Sequence, residues 1–171
     1  MTFDQIIRER FSCKRFDTTR QISDEQLNAI LEAGRVAPTA KNLQEQHIYV
    51  VQSEEMLQKI ETATPCRYGA PTCIIVAFDT ENVYTYPNST RDSGIEDATI
   101  VATHMILAAT AQGVNSCWIN CLDPKAMSEV IGLPANEKIL MMLDLGFAAE
   151  GAEPLPNHFS RKPLSETVTY L

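Results

Sequence analysis

The segment Ile95–Gln112 constrains the fold of this chain more than any other. Ala98, Ile100, Val101, Ala102, Met105, Ile106, Leu107, Ala108 and Ala109 recur so densely that a helix over this stretch keeps almost no polar face. Such a helix needs cover on nearly every side, so it belongs inside the core or against a second chain. Gly113 is placed to end it. His104 on this helix reads as a hydrogen-bonded core histidine, and Asp92, Glu96 and Asp97 as an acidic first turn favoured by the helix dipole.

The rest of the chain mixes helices and strands. Thr2–Phe11 reads as a short helix with Thr2 and Gln5 in capping-box spacing, and a second helix opens at Ser23, with Gln26 three residues on, and stops at or before Ala37 because Pro38 follows. Pro38–Gln46 is a polar loop, His47–Val51 a strand, Ser53 to about Ala63 a helix, and Cys73–Phe78 a strand apolar enough to be buried on both faces. Asp79–Gly94 has no period of either kind, and a loop of that length in a compact domain is functional or mobile. Ser116–Cys121 and Ile139–Phe147 complete the strands, with a helix between them opened by Asp123-Pro124 and closed at Gly132 and Pro134. The tail beyond, with Gly151, Pro154, Pro156 and Pro163, reads as extended and has little core of its own. These elements predict one α+β domain over residues 1–171, a central mixed or antiparallel sheet flanked by helices, that completes its core with a partner chain.

A net charge of −8 argues against nonspecific binding to nucleic acid, and no stretch approaches the ~20 apolar residues that span a bilayer. With an acidic, polar start, the chain is expected in the cytoplasm. There the cysteines, Cys13, Cys66, Cys73, Cys117 and Cys121, stay thiols; they lack C-x-x-C spacing and read as small apolar fillers, Cys117 and Cys121 being the pair to watch. His47, His104 and His158 lie far apart without metal-ligand spacing, so no metal site is expected.

Against this acidic background, Arg10, Ser12 and Lys14 alternate just where the first helix gives out. In extended backbone all three point the same way and offer two cations and a hydroxyl to an anion, and Arg161 and Lys162 in the tail can add to them. By spacing alone, solvated surface charge is the commoner role for the same residues.

The run Arg10-Phe11-Ser12-Cys13-Lys14-Arg15-Phe16 resembles the opening motif of the nitroreductase family, and Pro38-Thr39-Ala40-Lys41-Asn42 resembles its Pro-Ser-x-x-Asn motif. Gly113-Val114-Asn115-Ser116-Cys117-Trp118-Ile119, Ile131-Gly132-Leu133-Pro134, Leu145-Gly146-Phe147 and Arg161-Lys162-Pro163-Leu164 follow the family's later segments in order, so the similarity covers essentially the whole chain. The resemblance implies an intertwined homodimer with FMN at the interface and NADH or NADPH as co-substrate. It implies that Arg10, Ser12 and Arg161 hold the phosphate, with Phe11 in the same motif, and that Lys14 sits near N1 and O2 of the ring. Pro38, Thr39 and Asn42 would come from the partner chain, and the tail from about residue 148 to 171 would lie along that partner. Trp118 and Ile119 would wall the flavin, though a core role suits Trp118 as well, and the backbone N–H facing N5 falls on Asn120 or Cys121. Two departures stand out: Phe11 where many members carry Arg, and Gln44-Glu45-Gln46 where the family has Gln-Pro-Trp. Tyr84 and Tyr86 either stack on a substrate or cover the edge of the core.

The implied activity is ping-pong transfer of electrons from NAD(P)H to a nitroaromatic, quinone or similar flat small molecule, with no side-chain nucleophile. Two alternatives are a flavin-storage protein with little turnover and a relative with other flavin chemistry, such as dehalogenation, ring oxidation or flavin fragmentation.

Overall fold

Thr72–Asp79 has apolar side chains for both of its faces, and every residue in it but the last is buried in the computed structural model, which describes all residues from Met1 to Leu171. In chain order the elements are α1 (Phe3–Glu9), α2 (Asp24–Arg35), β1 (Gln46–Val51), α3 (Glu54–Ile60), β2 (Thr72–Asp79), α4 (Gly94–Ala111), β3 (Asn115–Ile119), α5 (Pro124–Ile131), β4 (Glu137–Gly146) and α6 (Leu164–Thr167). The strands pair in the order β1-β2-β4-β3, antiparallel throughout. Alternate residues of the two central strands feed two cores. Ile74, Val76, Phe78, Met141, Leu143 and Leu145 pack under α2 and α4, while Cys73, Ile75 and Met142 join Cys117, Ile119, Ile60 of α3 and Met127 of α5 on the other face. The architecture is a sheet between two helical layers, as an α+β chain with this pattern requires.

Local chemistry sets the helix ends. Thr2–Gln5 and Ser23–Gln26 both close as capping boxes, and Asp123 caps α5 through the amides of Lys125 and Ala126. Gly132 ends α5 at φ 65°, a left-handed turn that glycine adopts without strain. Gly34 matters for packing instead. A Cβ there would lie 2.9 Å from Met105 Cγ, so its absence lets α2 approach α4 closely.

Several expectations are corrected. The first helix stops at Glu9, since Arg10 already takes extended ψ 126°, and β3 ends at Ile119, which leaves Asn120 and Cys121 beyond the sheet. The tail is not simply extended: Pro156–Phe159 forms a 3₁₀ turn and Leu164–Thr167 a single helical turn. His104 is exposed, its Nδ1 2.8 Å from the Ile100 carbonyl, because it falls on the outward side of α4. Asp79–Gly94 is not shapeless, since Thr85 and Asp92 form an antiparallel bridge. No helix is long and apolar enough to cross a membrane.

Beneath the sheet face that carries α3 and α5, Arg67 pairs with Asp144, and both are buried. Arg67 also donates to the Ala70 carbonyl at 2.7 Å, but its Nε finds no partner. Burial pushes the Asp144 carboxyl up to about 6 despite the neighbouring guanidinium. The folded state therefore holds this proton more tightly than the unfolded chain. That contribution is complete below the ordinary aspartate value of 3.8 and is lost as pH rises through about 6. Arg67→Met should cost about 3–5 kcal/mol in denaturant unfolding at neutral pH, because it strands a buried carboxylate. Adding Asp144→Leu should recover most of that loss; two independent, additive losses would show that the pair is not a unit.

Candidate functional site

The first cluster lies near the C-terminal end of α4. Past α1 the chain runs along the free edge of β3, where Ser12 bridges Ser116 in parallel and the Cys13 N–H donates to the Ser116 carbonyl at 2.9 Å. The alternation read from sequence holds here: Cys13 is buried, while Ser12 and Lys14 are exposed. Together they line a cavity of about 330 Å³ with Phe11, Leu155, Asn157 and His158. The Lys14 ammonium donates to the Tyr68 hydroxyl at 2.9 Å, and this bond pushes the Lys14 pKa up. Neither Arg10 nor Lys14 takes part in any of the ion pairs of the chain.

Arg10 does not join that cavity. It lines a neighbouring one of about 240 Å³ with Thr110, Gly113 and Ser116, and Phe11 borders both. The cause is the helix end: Arg10 is the last residue governed by α1, so the strict alternation begins only after it. Arg161 is exposed and donates to the carbonyls of His158 and Ser160, the latter at 2.7 Å, just outside the cavity lining.

At the end of β3, Ile119 is buried in the core and Trp118 is half-buried, its Nε1 donating to Asn120 Oδ1 at 2.9 Å. The Asn120 carbonyl accepts from Leu122 N–H at 2.9 Å and the Cys121 carbonyl from Thr64 Oγ1 at 2.6 Å, whereas neither amide N–H has an acceptor within the chain. Ser116 presents its carbonyl to the outer edge of the sheet. By strand alternation Trp118 faces the same way, and Asn120 is the next position in that series.

The second cluster sits at the N-terminal end of α4. Ala40–Asn42 form a 3₁₀ turn in which Lys41, Asn42 and the nearby Gln44 take φ values of 54°, 56° and 56°. Three non-glycine residues in the left-handed region within four positions store strain that surrounding contacts must hold. Those contacts are visible. Thr39 Oγ1 accepts from Gln44 N–H at 3.0 Å, Ala40 N–H donates to Asp97 Oδ2 at 2.9 Å, and Asn82 Nδ2 donates to the Leu43 carbonyl at 3.1 Å. Pro38 and Asn42 are exposed. Tyr84 and Tyr86 belong to this end too, packed edge to face at 5.3 Å, with the Lys41 ammonium 5.7 Å from the Tyr84 ring and the Tyr86 hydroxyl donating to Glu96 at 2.6 Å.

Under the loop lies a pair of buried carboxyls, Glu45 and Asp97. Ser93 Oγ donates to Glu45 Oε1 at 2.9 Å, while Glu45 Oε2 is buried without a hydrogen-bond partner. Burial and the neighbouring Asp97 carboxyl both push Glu45 up. Asp97 is thus not merely a first-turn acid. Sequence reasoning does not single out Tyr68 or Cys66, which belong to no motif, and it signals Glu45 only as a departure from a familial Pro.

Asp97 and Thr110 mark the two clusters along α4, roughly 20 Å apart at about 1.5 Å per residue. Within one chain, therefore, Pro38–Asn42 and Arg10–Lys14 do not meet.

Comparison with known proteins gives a consistent picture. The Nitroreductase family matches residues 7–67 and 64–147 of the chain. A solved nitroreductase family protein from Clostridium difficile is 33% identical, covers 99% of this chain and 98% of its own, and superposes with a TM-score of 0.93. A structure from Desulfovibrio desulfuricans solved in complex with FMN is 26% identical, with a TM-score of 0.83 over 100% of this chain and 97% of its own. The oxygen-insensitive NADPH nitroreductase of Helicobacter acinonychis is 25% identical over 98% of this chain and 95% of its own.

The carboxyl pair makes the loop sensitive to pH. The proton that Glu45 holds more tightly in the folded chain stabilises it fully below the ordinary glutamate value of 4.5, and that contribution is lost as pH rises through the raised Glu45 value. Glu45→Gln keeps a donor at this position and removes the titration. Its stability should consequently vary less with pH above 4.5 than that of the parent chain, measured by urea unfolding across pH; identical slopes would mean that Glu45 does not hold the proton.

Proposed function

As the chain belongs to the nitroreductase family, we propose that it is an FMN-dependent NAD(P)H oxidoreductase working as a cytoplasmic homodimer. The observation that carries this reading is the cavity at Ser12 and Lys14. In a chain of net charge −8, a hydroxyl and an ammonium free of any carboxylate open into one concave space, with the ammonium braced by Tyr68. Such a donor set fits an anionic, planar cofactor.

The chemistry that FMN supplies when bound is two-electron exchange at N5, first with NADH or NADPH and then, in ping-pong fashion, with a nitroaromatic, quinone or similar flat acceptor. The protein's part is to bind and orient. Arg10, Ser12 and Arg161 serve as phosphate ligands, Arg10 and Arg161 swinging from the neighbouring cavity and the tail. Lys14 places a fixed positive charge beside the ring's N1 and O2, which favours added electron density there. Phe11, Trp118 and Ile119 supply apolar walls, and the amide of Asn120 or Cys121 a hydrogen-bond donor.

The partner chain supplies the remainder. Along the outer side of α4, Ile95 is 63% and Ile100 37% exposed, flanked by Thr103 and His104. Phe3 and Ile7 of α1 and Phe159, Leu164 and Tyr170 of the tail are likewise open. A two-fold axis across α4 pairs the N-terminal end of one helix with the C-terminal end of the other, and so joins Pro38, Thr39 and Asn42 of one chain to Arg10–Lys14 of its partner. Tyr84 and Tyr86 then stand over the same cleft as a cover.

A visible spectrum tests the reading most directly. Protein reconstituted with FMN should be yellow and bleach anaerobically with NADPH or NADH, then recover its colour with a quinone or nitroaromatic. Failure to bind FMN would sink the reading, and a yellow protein that never bleaches would favour storage. Lys14→Ala should weaken FMN binding by roughly 10-fold or more, the loss of one charge-assisted hydrogen bond, and lower the flavin potential. Unchanged affinity and potential would remove Lys14 from the site. Ile100→Glu should shift the protein to monomer by sedimentation and abolish tight FMN binding; a monomer that still binds FMN tightly would show that one chain suffices.

A further inference from the structure

Three of the five thiols, Cys13, Cys73 and Cys117, are at most 1% exposed, whereas Cys66 is half-buried and Cys121 exposed. These last two come from different elements, Cys66 from the connection after α3 and Cys121 from the exit of β3. The Thr64 hydroxyl clamps their backbones together, accepting from Cys66 N–H at 3.1 Å and donating to the Cys121 carbonyl at 2.6 Å. Asp123 N–H adds a second tie to the Ala63 carbonyl at 2.8 Å. Across this clamp the Cys66 thiol is the neighbour that pushes the Cys121 thiol up. Cys117, which the sequence paired with Cys121 as the cysteines to watch, is instead a filler of the core.

We propose that Cys66 and Cys121 are a redox modification site that closes to a reversible disulfide where the exit of β3 meets the connection after α3. The oxidant is a low-molecular-weight disulfide. Exposed Cys121 gives up its proton and attacks one sulfur of that disulfide, forming a mixed disulfide and releasing one thiol. Cys66 then gives up its proton and attacks the Cys121 sulfur, forming the internal S–S bond and releasing the second thiol. Two protein thiols are oxidised and one external disulfide is reduced. The Thr64 clamp already holds the two segments side by side. Closure also fixes the segment that carries Tyr68, and with it the brace on Lys14. The proposal is independent of the flavin reading.

The test is incubation of the full chain with oxidised glutathione, capping of free thiols with N-ethylmaleimide, and intact-mass and peptide mapping. The expected product has lost two hydrogens, carries a Cys66–Cys121 linked peptide and no glutathione, and reverts with dithiothreitol. Cys66→Ser should instead retain glutathione on Cys121. A stable glutathione adduct on Cys121 of the parent chain, a link through Cys117, or no reaction would each overturn the proposal, and none of these outcomes depends on a variant folding.

Discussion

The inner side of α4 is buried by Ala98, Val101, Ala102, Met105, Ile106 and Ala109 against α2 and the sheet, and this burial determines where everything else can go. Once the helix is fixed, its N-terminal end anchors the strained 39–44 loop through Asp97, and its C-terminal end leads through Gly113 into β3, on whose edge Ser12 and Cys13 lie. The helix is therefore a ruler. It sets a separation of roughly 20 Å between two clusters of candidate site residues, a distance that no side chain bridges within one chain. Its outward apolar positions add a reason for a second copy to lie against it, and the proposed dimer would resolve the separation.

Buried charge is used at two places where apolar packing alone would not fix a loop. Arg67–Asp144 holds the connection between α3 and β2 under the sheet, and Tyr68 N–H also donates to Asp144 at 3.4 Å. That connection delivers both Tyr68 to Lys14 and Cys66 to Cys121. Glu45–Asp97 performs the same service under the 39–44 loop, with Ser93 as the third member. Buried pairs of this kind are costly to desolvate, and well-packed apolar residues could match them in stability. What they add is placement: a carboxylate that must be satisfied tolerates few loop conformations, whereas an apolar contact tolerates many.

Much of this fold is legible in the sequence, because the signals are local. Capping boxes at Thr2 and Ser23, Pro38 after α2, Gly132 after α5 and the two-faced apolar run in β2 each specify an element through its own residues. The resemblance to the family rests on short motifs of the same local kind. What stays hidden depends on residues distant in sequence. Tyr68 braces Lys14 across 54 positions and Glu45 meets Ser93 across 48, and neither contact leaves a pattern in its own neighbourhood. The exposure of His104 is hidden for a related reason. Near-uniform hydrophobicity along α4 conceals which side faces out, and only the packing of α2 and the sheet decides it.

The overall charge sharpens the role of the few free cations. At physiological ionic strength fields decay over about 8 Å, so an acidic surface repels polyanions at large without cancelling an ammonium that an approaching ligand meets at contact distance. Lys14 is held by a hydroxyl rather than by a carboxylate, so its positive charge is available to whatever enters the cavity. An acidic partner would have fixed the side chain equally well and neutralised its field. For a residue proposed to favour extra electrons on a bound ring, bracing by Tyr68 secures position without surrendering charge, and that choice is what most separates this lysine from the ordinary salt-bridged lysines of the surface, such as Lys59 with Glu55.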